Sequence, residues 1–429
     1  MSSPCDVILI GASTRSLAES ALRDNLRPFC IDMFGDADLL AQLQANGLTD
    51  AYAGVDRFDD VPDVLQTLGV SAPVVVAGGL ENHPDVLNWI RQRYELAGSA
   101  VDVLDDLSRP DKLFPTLERG GVSLPGWKAS NGPLETGWLR KPIRSSGGIG
   151  IQTSESPTNI TLPKEQSYDQ RFVEGIPASA TFFAESPGRE GANVPRARLL
   201  GTSIQLVGCA ELNASGFQFC GNAGPVVPNF TLSQRIQNIG DIVVQNQRVE
   251  GVFGVDFIVR DNEPFVLEVN PRITASHELH ERANPSVPGH VSLHVKNSTP
   301  RASPVSDVRL ARLIVYAPGE IRVDSRMCSD LLQCRFQISD AGSSVWLADI
   351  PCAESKVPAG TPFCSAYFDL NRSDPFAAEH IPDSVRLLLN IDPSPILRRI
   401  RDDIATIEVH KGTVVKSVVQ HVRIKGDQS

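Results

Sequence analysis

Four residues near the middle of the chain have the types and spacing of a phosphate-handling site: Asp256, Glu268, Asn270 and Arg272. Two carboxylates and an amide carbonyl offer only hard oxygen donors, a set that suits Mg²⁺ on a nucleotide's phosphates better than Zn²⁺ or copper. A guanidinium just beyond them would add a planar cation for a phosphoryl group. A hairpin must position them. Apolar side chains alternate through Val255 to Val259, the polar run from Arg260 to Pro264 interrupts, and Phe265 to Val269 resumes. Side chains of like parity share a strand face, so Glu268 and Asn270 point the same way and Asp256 can face them from the partner strand.

The chain around this hairpin has 429 residues, 41% of them hydrophobic and 21% charged, the composition of an ordinary globular protein of several domains. A formal net charge of -11 and a pI near 5.3 argue against nucleic acid or a membrane surface as partner, because both need a positive field. Any phosphate site must then be locally basic. The cysteines at 5, 30, 209, 220, 328, 334, 352 and 364 form no CxxC pair and no zinc-like spacing, so reduced thiols in a cytoplasmic protein are expected. Val7 to Ile10 is too short for the core of a signal peptide, and no apolar run is long enough to span a membrane.

Before the hairpin, residues 6 to 105 alternate strand and helix. DVILIGAS and RPFCIDMFG read as buried strands around a helix from Arg15 to Leu26, and PVVVAGG is a further strand before a helix from Pro84 to Ala97. Such alternation predicts a parallel, doubly wound sheet. One glycine, Gly11, ahead of Asp32 falls short of the three-glycine dinucleotide fingerprint. Glu81 and Asn82, in Gly78-Gly79-Leu80-Glu81-Asn82, stand at a strand end where a substrate would be met, or where Asn82 would cap the next helix. Further on, Lys141 lies in the strand WLRKPI, followed by the glycine loop Ser145 to Ile151, whose flexible backbone can close on phosphates. GNAGPVVP, Gly221 to Pro228, reads as an irregular segment before a helix over Leu232 to Gln247. The loop from Glu185 to Arg196 reads as a surface insertion. His277, His280, His290 and His294 lack a zinc-helix spacing and read as surface or capping residues.

The run LEVNPR, with an Asp twelve residues before its Glu and a Ser shortly after, resembles the metal-binding signature of the ATP-grasp superfamily. The resemblance spans roughly residues 5 to 300. It implies an α/β ATP-grasp fold with a Rossmann-like N-terminal domain (1-107), a lid subdomain (108-175) and a metal-binding catalytic subdomain (176-300), the last two both α+β. A small β-rich module (301-429) follows. By resemblance, Asp256, Glu268 and Asn270 hold two Mg²⁺ ions (or Mn²⁺), and Arg272 with Lys141 acts on the transferred phosphoryl group. Lys112, Lys141 and the loop residues Ser145, Ser146, Gly147 and Gly148 would hold the ATP phosphates. YDQRFVEG, Tyr168 to Gly175, resembles the hinge against adenine, with Phe172 and Val173 flanking the ring, the backbone around Arg171 to Val173 reading its edge, and Gln170 and Glu174 as polar contacts. The chain departs from the commonest pattern after this hinge, where many relatives carry a ribose-binding Glu and this sequence reads Ile176-Pro177-Ala178-Ser179.

The activity implied is an ATP-dependent carboxylate-amine ligase working through an acyl phosphate. GLEN, EVNPRITASHE and the ADIP-containing tail resemble ATP-grasp proteins associated with methanofuran- or tetrahydromethanopterin-type one-carbon cofactors, where an amino acid such as glutamate would be joined. Small carboxylate and amine substrates are the expected partners, with a homodimer as the candidate assembly. A kinase of the same fold and a non-catalytic nucleotide-binding protein are the competing readings.

Overall fold

The computed structural model describes residues 5–155, 166–185, 194–296, 308–340, 345–371 and 393–408. Of the expected insertion between Glu185 and Arg196, residues 186–193 lie outside the described residues.

Strands β1 (Val7–Gly11), β2 (Pro28–Asp32), β3 (Tyr52–Gly54) and β4 (Val74–Val76) form a parallel sheet in the order β3-β2-β1-β4. Helices α1 (Arg15–Arg23), α2 (Ala37–Ala45), α3 (Val61–Leu68) and α4 (Pro84–Arg91) alternate with them. Val7 and Leu9 enter one hydrophobic cluster, Ile8 and Ile10 another, so both faces are covered and the strand reads as a continuous apolar run. The last helix is shorter than expected, ending at Arg91. Val74 donates to the Glu95 carbonyl at 2.8 Å and accepts from the Ala97 N–H at 2.8 Å. Edge pairing to β4 thus takes the residues that periodicity assigned to the helix.

Helices α5 (Val101–Ser108) and α6 (Pro110–Arg119) lead into a small antiparallel sheet. Its strands β5 (Trp127–Ala129), β6 (Trp138–Pro142), β7 (Gln152–Thr153) and β8 (Ser167–Arg171) are ordered β5-β8-β6-β7.

The largest sheet has eight strands. Six precede residue 320: β9 (Ile176–Glu185), β10 (Arg196–Val207), β11 (Phe219–Val226), β12 (Gly251–Arg260), β13 (Glu263–Asn270) and β14 (Leu310–Tyr316). The short strands β15 (Ile321–Arg322) and β17 (Lys356–Val357) pair separately, whereas β16 (Val345–Ala348) and β18 (Pro362–Asp369) complete the order β13-β12-β9-β10-β11-β14-β18-β16. The C-terminal strands thus prolong the sheet that carries the metal-type residues. The segment GNAGPVVP, expected to be irregular, is mostly β11. Its glycines serve close strand approach, since a Cβ on Gly221 would lie 2.1 Å from the Arg312 carbonyl oxygen and one on Gly224 2.9 Å from that of Thr202.

One face of this sheet, through Ala180, Phe182, Phe253 and Val255, packs in the same core as α7 (Phe230–Gln247), whose Ile236, Ile239 and Val243 are buried there. On the other face Phe183 and Val252 join the cluster of the N-terminal domain. Asp256 and Ser179 share that second face, by strand parity, which turns the oxygen donors toward the N-terminal domain.

Candidate active site

The β12–β13 hairpin is not in simple register. Ile258 pairs with Phe265 and Phe257 with Val266, but Asp256 pairs with Glu268, a one-residue bulge at Leu267. Without it Leu267 would oppose Asp256 and the second carboxylate would turn away, so the bulge re-aims the strand at this point. Gly254, two residues earlier, pairs with Asn270. The Asn270 Nδ2 donates to Asp256 at 3.2 Å and to Glu268 at 3.1 Å. A donor bridging two carboxylates stands where a cation would. Turning the amide over would put Oδ1 there instead and complete an oxygen set. Gln205 on β10 donates to Asp256 at 2.9 Å, a contact that no sequence signal announced. Burial and then the charge of Glu268 push the Asp256 carboxyl well above the usual range, the expected state of facing acids without a divalent ion.

The small sheet β5-β8-β6-β7 looks onto these acids. Lys141 pairs with Tyr168 and Leu139 with Gln170, so the four side chains share a face. Lys141 makes no hydrogen bond or ion pair among the described residues. Burial lowers its pKa, and the charges of Glu268 and Asp256 counter this. Gln170 is wholly buried, and neither its amide oxygen nor its amide nitrogen has a partner. Such an orphan on the lysine face fits a ligand that offers both a donor and an acceptor, as an adenine edge does.

Arg272 reaches across to the N-terminal domain. Its Nε donates to Glu81 Oε1 at 2.7 Å, and the Gly79 N–H donates to Oε2 at 2.6 Å. Burial disfavours its charge, but Glu81, with Glu268 and Asp256 beyond, outweighs this and raises its pKa. Glu81 is therefore engaged within the protein rather than free as the substrate contact expected of it. Asn82 is half-buried at the end of the same turn.

The glycine loop is docked. Gly147, Gly148 and Gly150 all have positive φ, and the Phe219 N–H donates to the Gly147 carbonyl at 3.0 Å. Ser145 and Ser146 are exposed there, with the Ser145 hydroxyl turned to the Ile149 carbonyl at 2.6 Å. Other expected residues are not gathered in. Lys112 is exposed in the first turn of α6, Glu174 is exposed, and Phe172 is 51% exposed. Two N–H groups of the expected adenine edge are already spent, Arg171 on the Gly126 carbonyl at 2.7 Å and Phe172 on that of Gly137 at 2.9 Å. This leaves Val173, half-buried, to supply an N–H.

The histidine expectation is overturned. His277, His280 and His290 are no more than 4% exposed on helices α8 (His277–Ala283) and α9 (His290–Val295), and His294 of α9 is half-buried, its Nε2 accepting from the Val252 N–H at 3.1 Å. The ring of His280 fills the space left above Gly201, where a Cβ would come within 2.8 Å of it. Hydroxyls line the floor between these helices and the acids: Ser179 lies 2.9 Å from Ser203 and 3.3 Å from Ser276. Among the described residues no three His, Cys, Asp or Glu side chains converge as a metal site. Asp256, Glu268 and the Asn270 amide fit Mg²⁺ only if phosphate oxygens and water supply the other ligands, which is how that ion is usually held.

With known proteins, the ATP-grasp domain family matches residues 111–276. A protein of Methanocaldococcus jannaschii described as uncharacterized is 32% identical over 195 residues, 43% of this chain and 45% of that protein, so the chain spans under half of that relative. The N5-carboxyaminoimidazole synthase of Aspergillus clavatus, solved with ADP and 5-aminoimidazole ribonucleotide, superposes with a TM-score of 0.63 at 13% identity over 91% of this chain and 100% of its own. A β-γ-ATP complex of biotin carboxylase from Campylobacter jejuni gives 0.58 at 14% identity, over 85% and 87%. The fold is the ATP-grasp fold, and the domain match supports the ATP-grasp superfamily.

Proposed function

We propose that this ATP-grasp chain is an ATP- and Mg²⁺-dependent ligase that joins a carboxylate to an amine through an acyl phosphate, releasing ADP and phosphate. The supporting observation is the pairing of Asp256 with Glu268 across the bulge, on the face toward which Lys141 and Arg272 bring their charge. Opposed acids with cations beside them, and among the described residues no third acid converging on them, suit a site that phosphates complete.

In this reading Lys141 and Arg272 bind the phosphates and hold the γ-phosphoryl in line with the incoming carboxylate. Asp256, Glu268 and Asn270 would hold Mg²⁺, which neutralises phosphate charge and orients the transferred group. The docked glycine loop keeps water from the activated acyl group. Val173 N–H and the orphan amide of Gln170 would read the base. The compared structures hold ADP and an ATP analogue, in keeping with a nucleotide here. Amino acids of the glutamate type and one-carbon cofactor precursors are the first pairs to try.

The test is turnover of Mg·ATP against pools of carboxylates and amines, with calorimetry of Mg·ATP binding to wild type and Lys141→Ala. The expected outcome is ADP and phosphate in step with amide, and a weakened nucleotide for the variant with its fold intact. AMP and pyrophosphate as products, or no binding of Mg·ATP, would overturn it.

A further inference from the structure

The turn at the carboxyl end of β4 does something that the ligase reading leaves unassigned. Both oxygens of Glu81 are committed: Oε1 accepts from Arg272 Nε at 2.7 Å and Oε2 from the Gly79 N–H at 2.6 Å. The pair is largely shielded, with side chains 13% and 18% exposed. Gly79 has φ +106, and a Cβ there would meet the Phe58 ring at 3.0 Å, so the turn that aims its N–H at Glu81 requires glycine. The guanidinium also lies on Gly78, where an added Cβ would contact Cζ and Nη1 at 3.5 Å. Nε and one flank of Arg272 are thus used up by the N-terminal domain, and Nη1 leans to the Ile273 carbonyl at 3.4 Å. Nη2 shares the Gly78 flank at 3.6 Å but, among the described residues, makes no hydrogen bond. A guanidinium held by its Nε edge loses little freedom when its outer nitrogens take a phosphoryl oxygen.

We infer that Glu81 is a positioning residue for Arg272, and that through it the N-terminal domain sets the reach of the guanidinium that serves the phosphoryl group. This rests on the ligase reading for the role of Arg272, but the structural half stands apart from it. Glu81 does not touch the reacting atoms. It fixes one rotamer of a residue that does. A displacement of about 1 Å in such a group costs on the order of 10²-fold in rate.

The test uses the full chain with Glu81→Ala and the isosteric Glu81→Gln, which can still accept from Nε but loses the charge and the second acceptor. Three things are measured: steady-state ATP turnover with Mg²⁺, the exchange-protected Nε–H resonance of Arg272, and melting. The expected result is a graded fall in kcat, about tenfold for Gln and about 10²-fold for Ala, with KM for ATP within about threefold. The Arg272 resonance should shift in Gln and lose protection in Ala. Unchanged kcat in both variants, or a raised KM with kcat intact, overturns the inference. If Ala fails to fold, Gln alone decides by the same criteria. If wild type binds no Mg·ATP the ligase reading falls, and the Arg272 resonance still decides whether Glu81 holds it.

Discussion

Arg15 and Glu278, 263 residues apart, form a two-pronged ion pair, Nη1 to Oε1 at 3.0 Å and Nη2 to Oε2 at 2.7 Å, with Arg15 fully buried. Asp349 accepts from Arg15 Nε at 2.6 Å and from Arg312 at 2.7 Å, and the Tyr367 hydroxyl bonds Glu278. One charge cluster therefore joins α1, the helix just beyond the NPR run, and two C-terminal strands. Burial alone would raise the Glu278 and Asp349 carboxyls, but Arg15 and its neighbouring arginines hold both well below the usual range.

Arg15→Met should cost about 3–5 kcal/mol, because two shielded carboxylates lose the cation they share and keep, among the described residues, only Arg282 and Arg312. Equilibrium denaturation without ligand measures it. Adding Glu278→Leu to the variant should restore part of the loss, and a strictly additive double variant would show that the pair is not coupled.

Acid should unfold the protein through its histidines. Burial lowers the pKa of His280 to about 4 and that of His290 well below its ordinary value. At pH 7 neither state carries these protons. Below about 6.5 the unfolded chain takes them and the folded chain does not, so stability falls from there down to about pH 4, by about 1.4 kcal/mol per unit for each such group. Denaturant midpoints between pH 7 and 5 measure the slope, and His280→Gln should remove about one proton from the uptake on unfolding.

Glu268→Gln separates a metal ligand from a structural acid. The metal-free protein should melt no lower than wild type, since the substitution relieves the repulsion felt by Asp256. Mn²⁺ binding followed by electron paramagnetic resonance should weaken, and turnover should fall by about 10²-fold, about 2.7 kcal/mol of barrier. A metal-free protein melting several degrees lower, with turnover intact, would give Glu268 a structural role instead.

Gly148→Ala should undock the glycine loop. Gly148 has φ +76 and its Cβ would fall 1.8 Å from the Phe217 carbonyl oxygen. The loop must leave β11 to accept the methyl group. KM for ATP should rise roughly tenfold or more while melting changes by only a few degrees, because the loop is exposed and adds little core.

Much of this was legible because it follows local periods. The parallel sheet announces itself in apolar runs such as Val7 to Ile10, the hairpin in its polar interruption, and Lys141 in an inward-facing strand before a glycine loop. The bulge at Leu267 was not legible, since alternation reads alike with or without it and only pairing shows which residue meets Asp256. Glu81 and Arg272 stand 191 residues apart, beyond any window of periodicity. Buried histidines look like surface ones in sequence, because helix α8 is covered on sides that its own polar composition would leave to solvent. Tertiary packing alone decided these cases.

The join between β11 and β14 has a practical corollary. Gly221 to Gly224 pair with Leu313 to Leu310, so the backbone of β11 is sealed by strands from beyond residue 300. A fragment trimmed to the matched domain, residues 111–276, would carry a bare rail of amides and carbonyls along β11. Such rails recruit one another, and a truncated product of this kind should be recovered as self-associated material rather than as a free-standing module.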